Sequence, residues 1–144
     1  MSEKRKETFV YSSPWGEIPF GCKREEWDCI RCWMDDYCEG KRPRWRPEIT
    51  PEGTEFQRKV WRVVSEIGYG ETMTYGEVAK RIAPKMSAQA VGQAVNRNPY
   101  PIVVPCHRVV ARKGGLGGYA FGEEVKKRLL DFERREGRES HAQI

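Results

Sequence analysis

The chain has 144 residues, 38% of them hydrophobic and 33% charged, with a net charge of +5 and a pI near 9.0. That is enough for one compact domain, or one domain with a small appendage. No apolar run approaches the roughly 20 residues of a membrane span and Met1 to Thr8 lacks the apolar core of a signal peptide, so membrane and secreted classes are excluded and an intracellular protein is expected, cytoplasmic and nucleoid-associated or nuclear. The basic excess tilts the partner toward nucleic acid or another polyanion.

Through Arg46 the chain is rich in charge, tryptophan and cysteine without a sustained helical or strand period, and Pro43, Pro47 and Pro51 then punctuate it. We read residues 1–50 as a short cysteine-rich module with its connector, and residues 51–144 as the main domain. Five cysteines cannot all pair, and disulfides do not suit an intracellular setting. Four of them, Cys22, Cys29, Cys32 and Cys38, cluster with the spacing C-x6-C-x2-C-x5-C, while Cys106 stands apart. Four thiolates satisfy either a tetrahedral zinc or a 4Fe-4S cluster.

From Thr54 the text becomes regular. Thr54 with Gln57 reads as a helix start, Phe56, Val60, Val63, Val64 and Ile67 share one face, and Gly68 and Gly70 stop the helix. Thr74 and Glu77 form a second capping box, with Val78 and Ile82 pointing inward before Pro84. A third helix begins at Ser87, with Ala88, Val91, Ala94 and Val95 apolar and Gln89, Gln93, Asn96 and Arg97 on the other side. This pattern suits a helix-turn-helix whose last helix enters a groove, and Gly92 would permit close backbone approach. Helix spacing alone favours an ordinary helical bundle with a solvated face over this reading.

Ile102, Val103 and Val104, flanked by prolines, read as a short buried strand that delivers Cys106. A lone buried cysteine is most often a small apolar residue. Here His107 supplies an adjacent base and Arg108 a cation that favours thiolate, so Cys106 reads as a nucleophile.

PCHRVV resembles the active-site signature of the O6-alkylguanine-DNA alkyltransferases, the methylated-DNA–protein-cysteine methyltransferases. The resemblance runs from Gly53 through AVGQAVNRNP and GGYAFG to Glu133 in KKRLLDFE. It implies a suicide DNA-repair methyltransferase, single-turnover and stoichiometric: double-stranded DNA carrying O6-alkylguanine is bound by a monomer, the base is flipped out, and Cys106 takes the alkyl group. Carried over residue by residue, His107 deprotonates Cys106 through a water and Glu133 orients His107. Tyr75 donates a proton toward the leaving guanine, and Asn98 is the hinge between recognition helix and active-site strand. Val104 and Pro105 contact the guanine through their backbone, and Tyr119 and Ala120 belong to the loop that closes over it. DNA contacts are expected from Gln89, Ala90, Gly92, Gln93, Arg97 and Arg108, with Arg112, Lys113, Lys126 and Lys127 as further phosphate partners. Gln89 stands where the family usually has an arginine that fills the gap left by the flipped nucleotide, and a neutral amide should fill it less well.

CKREEWDCIRCWMDDYC is similar to the iron-sulfur loop of endonuclease III-type DNA glycosylases. That resemblance implies a 4Fe-4S cluster on Cys22, Cys29, Cys32 and Cys38, with one structural zinc as the alternative; the only other histidine is His141 in the tail. The expected fold is mainly α with a short β element: a helix-turn-helix, winged-helix-like alkyltransferase domain plus a small metal-bound N-terminal module. Two other functions remain open: a non-enzymatic alkyltransferase-like lesion-binding protein, or a relative acting on a different base or on RNA.

Overall fold

A computed structural model describes residues 6–112 and 115–142, with side chains through Arg135. Lys113 and the side chain of His141 lie outside the described residues. The chain opens with a hairpin of β1 (Lys6–Ser13) and β2 (Gly16–Lys23), antiparallel from Lys6 opposite Lys23 to Ser13 opposite Gly16. Pro14 and Trp15 make the turn, and Gly16 follows at φ +113°, a conformation glycine adopts without steric cost. Ile18, Phe20 and Cys22 alternate on the buried face of β2, as a period of two requires. Helix α1 (Arg24–Cys38) follows at once and buries Ile30, Trp33, Met34 and Tyr37, spaced i, i+3, i+4, i+7. It ends at Gly40 (φ +79°), where Gly40 N–H donates to Tyr37 O and Lys41 N–H to Asp36 O, the left-handed glycine stop.

These elements replace the metal-bound module expected from the cysteine spacing. Cys22 points from β2 into the core. Cys29 and Cys32 sit three residues apart on the exposed side of α1, away from its buried face, and Cys38 is a further six residues along, about 600° round the helix. Strand and helix geometry therefore leave Cys22 and Cys38 turned away from the Cys29 and Cys32 side, and the four thiols do not converge. Among the described residues no group of three or more His, Cys, Asp or Glu side chains could hold a metal ion, so the 4Fe-4S cluster and the alternative zinc are both overturned. The segment is ordered by apolar burial instead.

The next three helices agree with the sequence reading. In α2 (Glu55–Ser65) Thr54 Oγ1 accepts from Gln57 N–H, and Gln57 Oε1 accepts from Thr54 N–H, both at 3.0 Å. The same reciprocal box, Thr74 with Glu77, starts α3 (Tyr75–Ile82), and Ser87 caps α4 (Ala88–Val95). The three helices pack on one another, and the buried Trp61 indole donates to Ala94 O at 2.9 Å, fixing α4 against α2. Gln89, Gln93, Asn96 and Arg97 remain exposed along α4.

The expected strand at Ile102–Val104 is a buried turn. Ile102 adopts φ +69°, rare for a β-branched residue and costing about 1–3 kcal/mol. Val103 N–H donates to Pro101 O at 2.7 Å and Val104 N–H to Tyr100 O at 2.9 Å. A single 3-10 turn (Cys106–Arg108) and β4 (Val109–Val110) follow, β4 running parallel to β3 (Met73–Thr74). Helix α5 (Glu123–Ala142) closes the fold. One hydrophobic core runs from Ile18, Phe20 and Tyr37 through Val60, Trp61 and Val91 to Val104 and Leu129. Among the described residues no helix is long and apolar enough to cross a membrane.

Candidate active site

The Asn98 side chain builds the loop that carries the cysteine. Its Nδ2 donates to Val104 O (2.9 Å) and Tyr100 O (3.3 Å), and its Oδ1 accepts from Tyr100 N–H (2.8 Å). The bond from Tyr100 N–H gives that buried donor its partner, while the two from Nδ2 add to carbonyls that already accept from Val104 N–H and Cys106 N–H. The loop is also held from the N-terminal segment: Gly21 N–H donates to Pro99 O, and the Tyr100 hydroxyl donates to Glu26 Oε1 at 3.1 Å. Burial would raise the Glu26 carboxyl, but hydrogen bonds from Lys23, Thr50 and Tyr100 outweigh it and hold the pKa below its ordinary value. Lys6 Nζ donates to the same tyrosine oxygen at 2.8 Å.

Cys106 is 3% exposed. Burial pushes its thiol up to about 12, against a hydrogen bond with the Asn98 side chain and the charge of Lys126, which both lower it. The resting side chain is a thiol, so attack by this sulfur would need a base to take its proton first. Arg108 is not the cation that acts on it.

His107 and Glu133 are fully buried, and His107 Nε2 lies 2.7 Å from Glu133 Oε2. That carboxylate also accepts from Tyr37 Oη (2.6 Å), from Arg108 Nε and a terminal guanidinium nitrogen (both 2.9 Å), and from Gly70 N–H (3.2 Å). Burial alone would raise the Glu133 carboxyl, but His107 and Arg108 together hold it well below the usual range. The imidazole pKa is lowered too, here by burial itself: Glu133 opposes, and Arg108 and Lys126 add to the lowering. At neutral pH the pair is thus carboxylate and neutral imidazole. With Nε2–H donating to Glu133, the basic lone pair is on Nδ1, which has no hydrogen-bond partner among the described residues.

Tyr75, at the start of α3, donates to Gly118 O at 3.2 Å. Lys126 Nζ donates to the same carbonyl at 3.0 Å and lies 3.4 Å from the Tyr75 oxygen. Burial lowers this lysine to about 8, with the Cys106 thiol and Glu123 opposing. Gly117, at φ +74°, lies so close to Tyr75 that a Cβ there would sit 2.7 Å from the ring. Tyr119 and Phe121 pack edge to face in the same loop, and burial raises the Tyr119 phenol. A concavity of about 470 Å³ opens beside this loop, lined by Tyr75, Ala88, Gln89, Gly92, Gln93, Asn96 and Gly118.

Cys106, His107, Glu133, Tyr75 and Asn98 are brought together, with Val104 and Pro105 in the same loop and Tyr119 near Cys106 and Glu133; Ala120 follows Tyr119 in the chain. Ala90, Gly92, Gln93 and Arg97 line the α4 face. Arg108 and Lys126 do not reach outward as phosphate ligands would: both are buried, one on Glu133 and Ile67 O, the other under the Gly118 loop. Tyr37 is the site residue that sequence reasoning missed, because nothing local relates it to a carboxylate 96 positions away.

The family described as "6-O-methylguanine DNA methyltransferase, DNA binding domain" matches residues 55–135. The methylated-DNA–protein-cysteine methyltransferase of Methanosarcina acetivorans is 49% identical over 100 residues, 69% of this chain and 64% of that protein. The inducible one of Bacillus subtilis is 44% identical over 102 residues, 71% and 57% of the two. The matched segment thus spans less than two thirds of these relatives. Among solved structures, the O6-methylguanine methyltransferase of Mycobacterium tuberculosis superposes with a TM-score of 0.79 at 29% identity, covering 91% of this chain and 94% of that one. The M. tuberculosis protein in complex with DNA gives 0.80 at 30% identity, covering 90% and 93%. The hairpin, α1 and the helical body together thus form an alkyltransferase fold, and the chain belongs to the 6-O-methylguanine DNA methyltransferase family.

Proposed function

We propose that this chain repairs double-stranded DNA by moving the alkyl group of O6-alkylguanine to Cys106, once per molecule. The observation that carries the reading is the buried chain of groups behind the cysteine: ionised Glu133 holding the Nε2–H tautomer of His107 and leaving Nδ1 as a base in a site where the thiol is protonated. His107 Nδ1 takes the thiol proton through a water. Sγ then forms its bond to the alkyl carbon as the carbon–O6 bond breaks, and that electron pair passes into the guanine ring. Tyr75, kept protonated by its raised pKa, gives the ring a proton, and Lys126 Nζ at 3.4 Å steadies the phenolate left behind.

A guanine inside a duplex offers Sγ no line of attack, so the base has to be extruded. The α4 face with Ala90, Gln93 and Arg97 fits the groove, Gly92 and Gln89 border the concavity beside Tyr75, and the loop of Tyr119 and Ala120 covers the base. Val104 and Pro105 would meet it with backbone groups.

Cys106→Ser tests this. The variant is expected to bind O6-methylguanine duplex as wild type does while transferring nothing; transfer that survives would refute the assignment.

A further inference from the structure

Between α1 and α2 the chain reads Lys41, Arg42, Pro43, Arg44, Trp45, Arg46, Pro47, and the site described above uses none of these residues. Not all the cations are free. Lys41 pairs with Glu39 at 2.9 Å and Asp36 at 3.9 Å, and Arg46 donates to Ser65 O at the C-terminal end of α2. Arg42 and Arg44 are exposed and have no carboxylate partner among the described residues. Arg42 is held at φ +50°, outside the ordinary range for a side-chain-bearing residue, with its guanidinium 4.7 Å above the Tyr69 ring. Stacking of this kind fixes the plane and leaves the edge N–H donors pointing outward. Beside them Trp45 is 44% exposed, one of two large hydrophobic side chains so exposed among the described residues. Lys41, Arg42, Pro43, Arg44 and Tyr69 line a concavity of about 400 Å³.

The position separates this patch from the α4 face. Phe56 and Gln57 at the N-terminal end of α2 adjoin Gln93 and Arg97, whereas Arg46 reaches Ser65 at the other end of the helix, about 13 Å away along its axis. We propose that Arg42, Arg44 and Trp45 form a second nucleic-acid site that takes a single strand. Two outward guanidinium groups suit successive phosphates, and an exposed indole between cations offers a face on which an unstacked base can lie. A duplex presents phosphates but no free base faces, so the tryptophan favours the strand. The proposal does not require Cys106 to react.

The test uses the full chain and an unmodified oligothymidine. Replacing both Arg42 and Arg44 by alanine should weaken binding and make the dependence of log affinity on log salt shallower by about 1.4, two single-strand phosphate contacts at about 0.7 each. Trp45→Ala should weaken binding at least about fivefold. Photo-crosslinking with a 5-iodouracil strand should label Trp45. Both variants should keep wild-type transfer from free O6-benzylguanine, which separates loss of the site from loss of the fold. Unchanged affinity in the variants, or crosslinks confined to α4, would overturn the proposal. So would a neutral Trp45→Ala with heparin and oligothymidine weakened alike by the arginine changes, which marks a general polyanion surface.

Discussion

At the residue scale the site rests on two buried neighbours whose pKa values are both lowered, which keeps one charged and the other neutral. Glu133 is held ionised by His107 and Arg108, while burial keeps His107 neutral below the pH at which a free histidine gains its proton. Protonated His107 cannot accept the thiol proton, so the acid loss of activity sets in only as pH drops through its lowered pKa. On the acid side the rate of transfer to Cys106 is therefore expected to decline only below about 6.5, while on the alkaline side it should soften around pH 8 as Lys126 loses its charge. A stopped-flow pH profile checks this, and an acid limb half-maximal at or above 6.5 would contradict it. Gly117 gives a second residue-scale prediction. An alanine there combines an unfavourable φ of +74° with a Cβ 2.7 Å from Tyr75, so the ring or the loop has to move. Gly117→Ala is expected to slow transfer from both duplex and free O6-benzylguanine, by up to about a hundredfold if the Tyr75 hydroxyl shifts by an ångström. Single-turnover kinetics on the two substrates measure it.

At the element scale, the helices that the sequence made legible are those specified locally. Thr54 with Gln57 and Thr74 with Glu77 state their own starts, and the apolar periods between them state the buried faces. The N-terminal hairpin and α1 were hidden for a different reason. Ile30, Trp33, Met34 and Tyr37 keep a clean helical period, but Cys29, Cys32 and Cys38 interleave with it, and their spacing alone cannot distinguish a ligand loop from cysteines scattered round a helix. The turn at Ile102 was illegible because Asn98, a side chain four residues earlier, supplies bonds that a strand would take from a neighbour. The corrected N-terminal segment predicts unequal cysteines. Cys29→Ser and Cys32→Ser change exposed positions and should alter stability by no more than about 0.5 kcal/mol. Cys22→Ser buries a hydroxyl in the core and should cost about 1–3 kcal/mol. Urea denaturation with and without a chelator checks both points; a chelator-induced loss of stability would restore a structural metal.

At the scale of the whole molecule, the N-terminal segment and the helical body act as one scaffold. Tyr37 from α1 reaches Glu133, and Glu26 reaches Tyr100, so both flanks of the reactive loop are tied to the hairpin and helix that precede the matched family region. Sequence motifs pointed to Cys106 and His107 as a candidate pair, but a tie between residues 37 and 133 is visible only in the folded chain. The α4 face leaves Gln89 exposed at the mouth of the concavity. If extrusion of the base limits repair there, Gln89→Arg should accelerate transfer from duplex O6-methylguanine more than from free O6-benzylguanine, and equal effects would show that extrusion is not the limiting step.

The central claim is tested most directly by incubating excess O6-methylguanine duplex with the protein and measuring its intact mass and peptide map. One methyl group per chain, located on Cys106 and not increasing with time, is the predicted result. More than one turnover per chain, a methyl group on another residue, or an unmodified protein beside consumed substrate would contradict it.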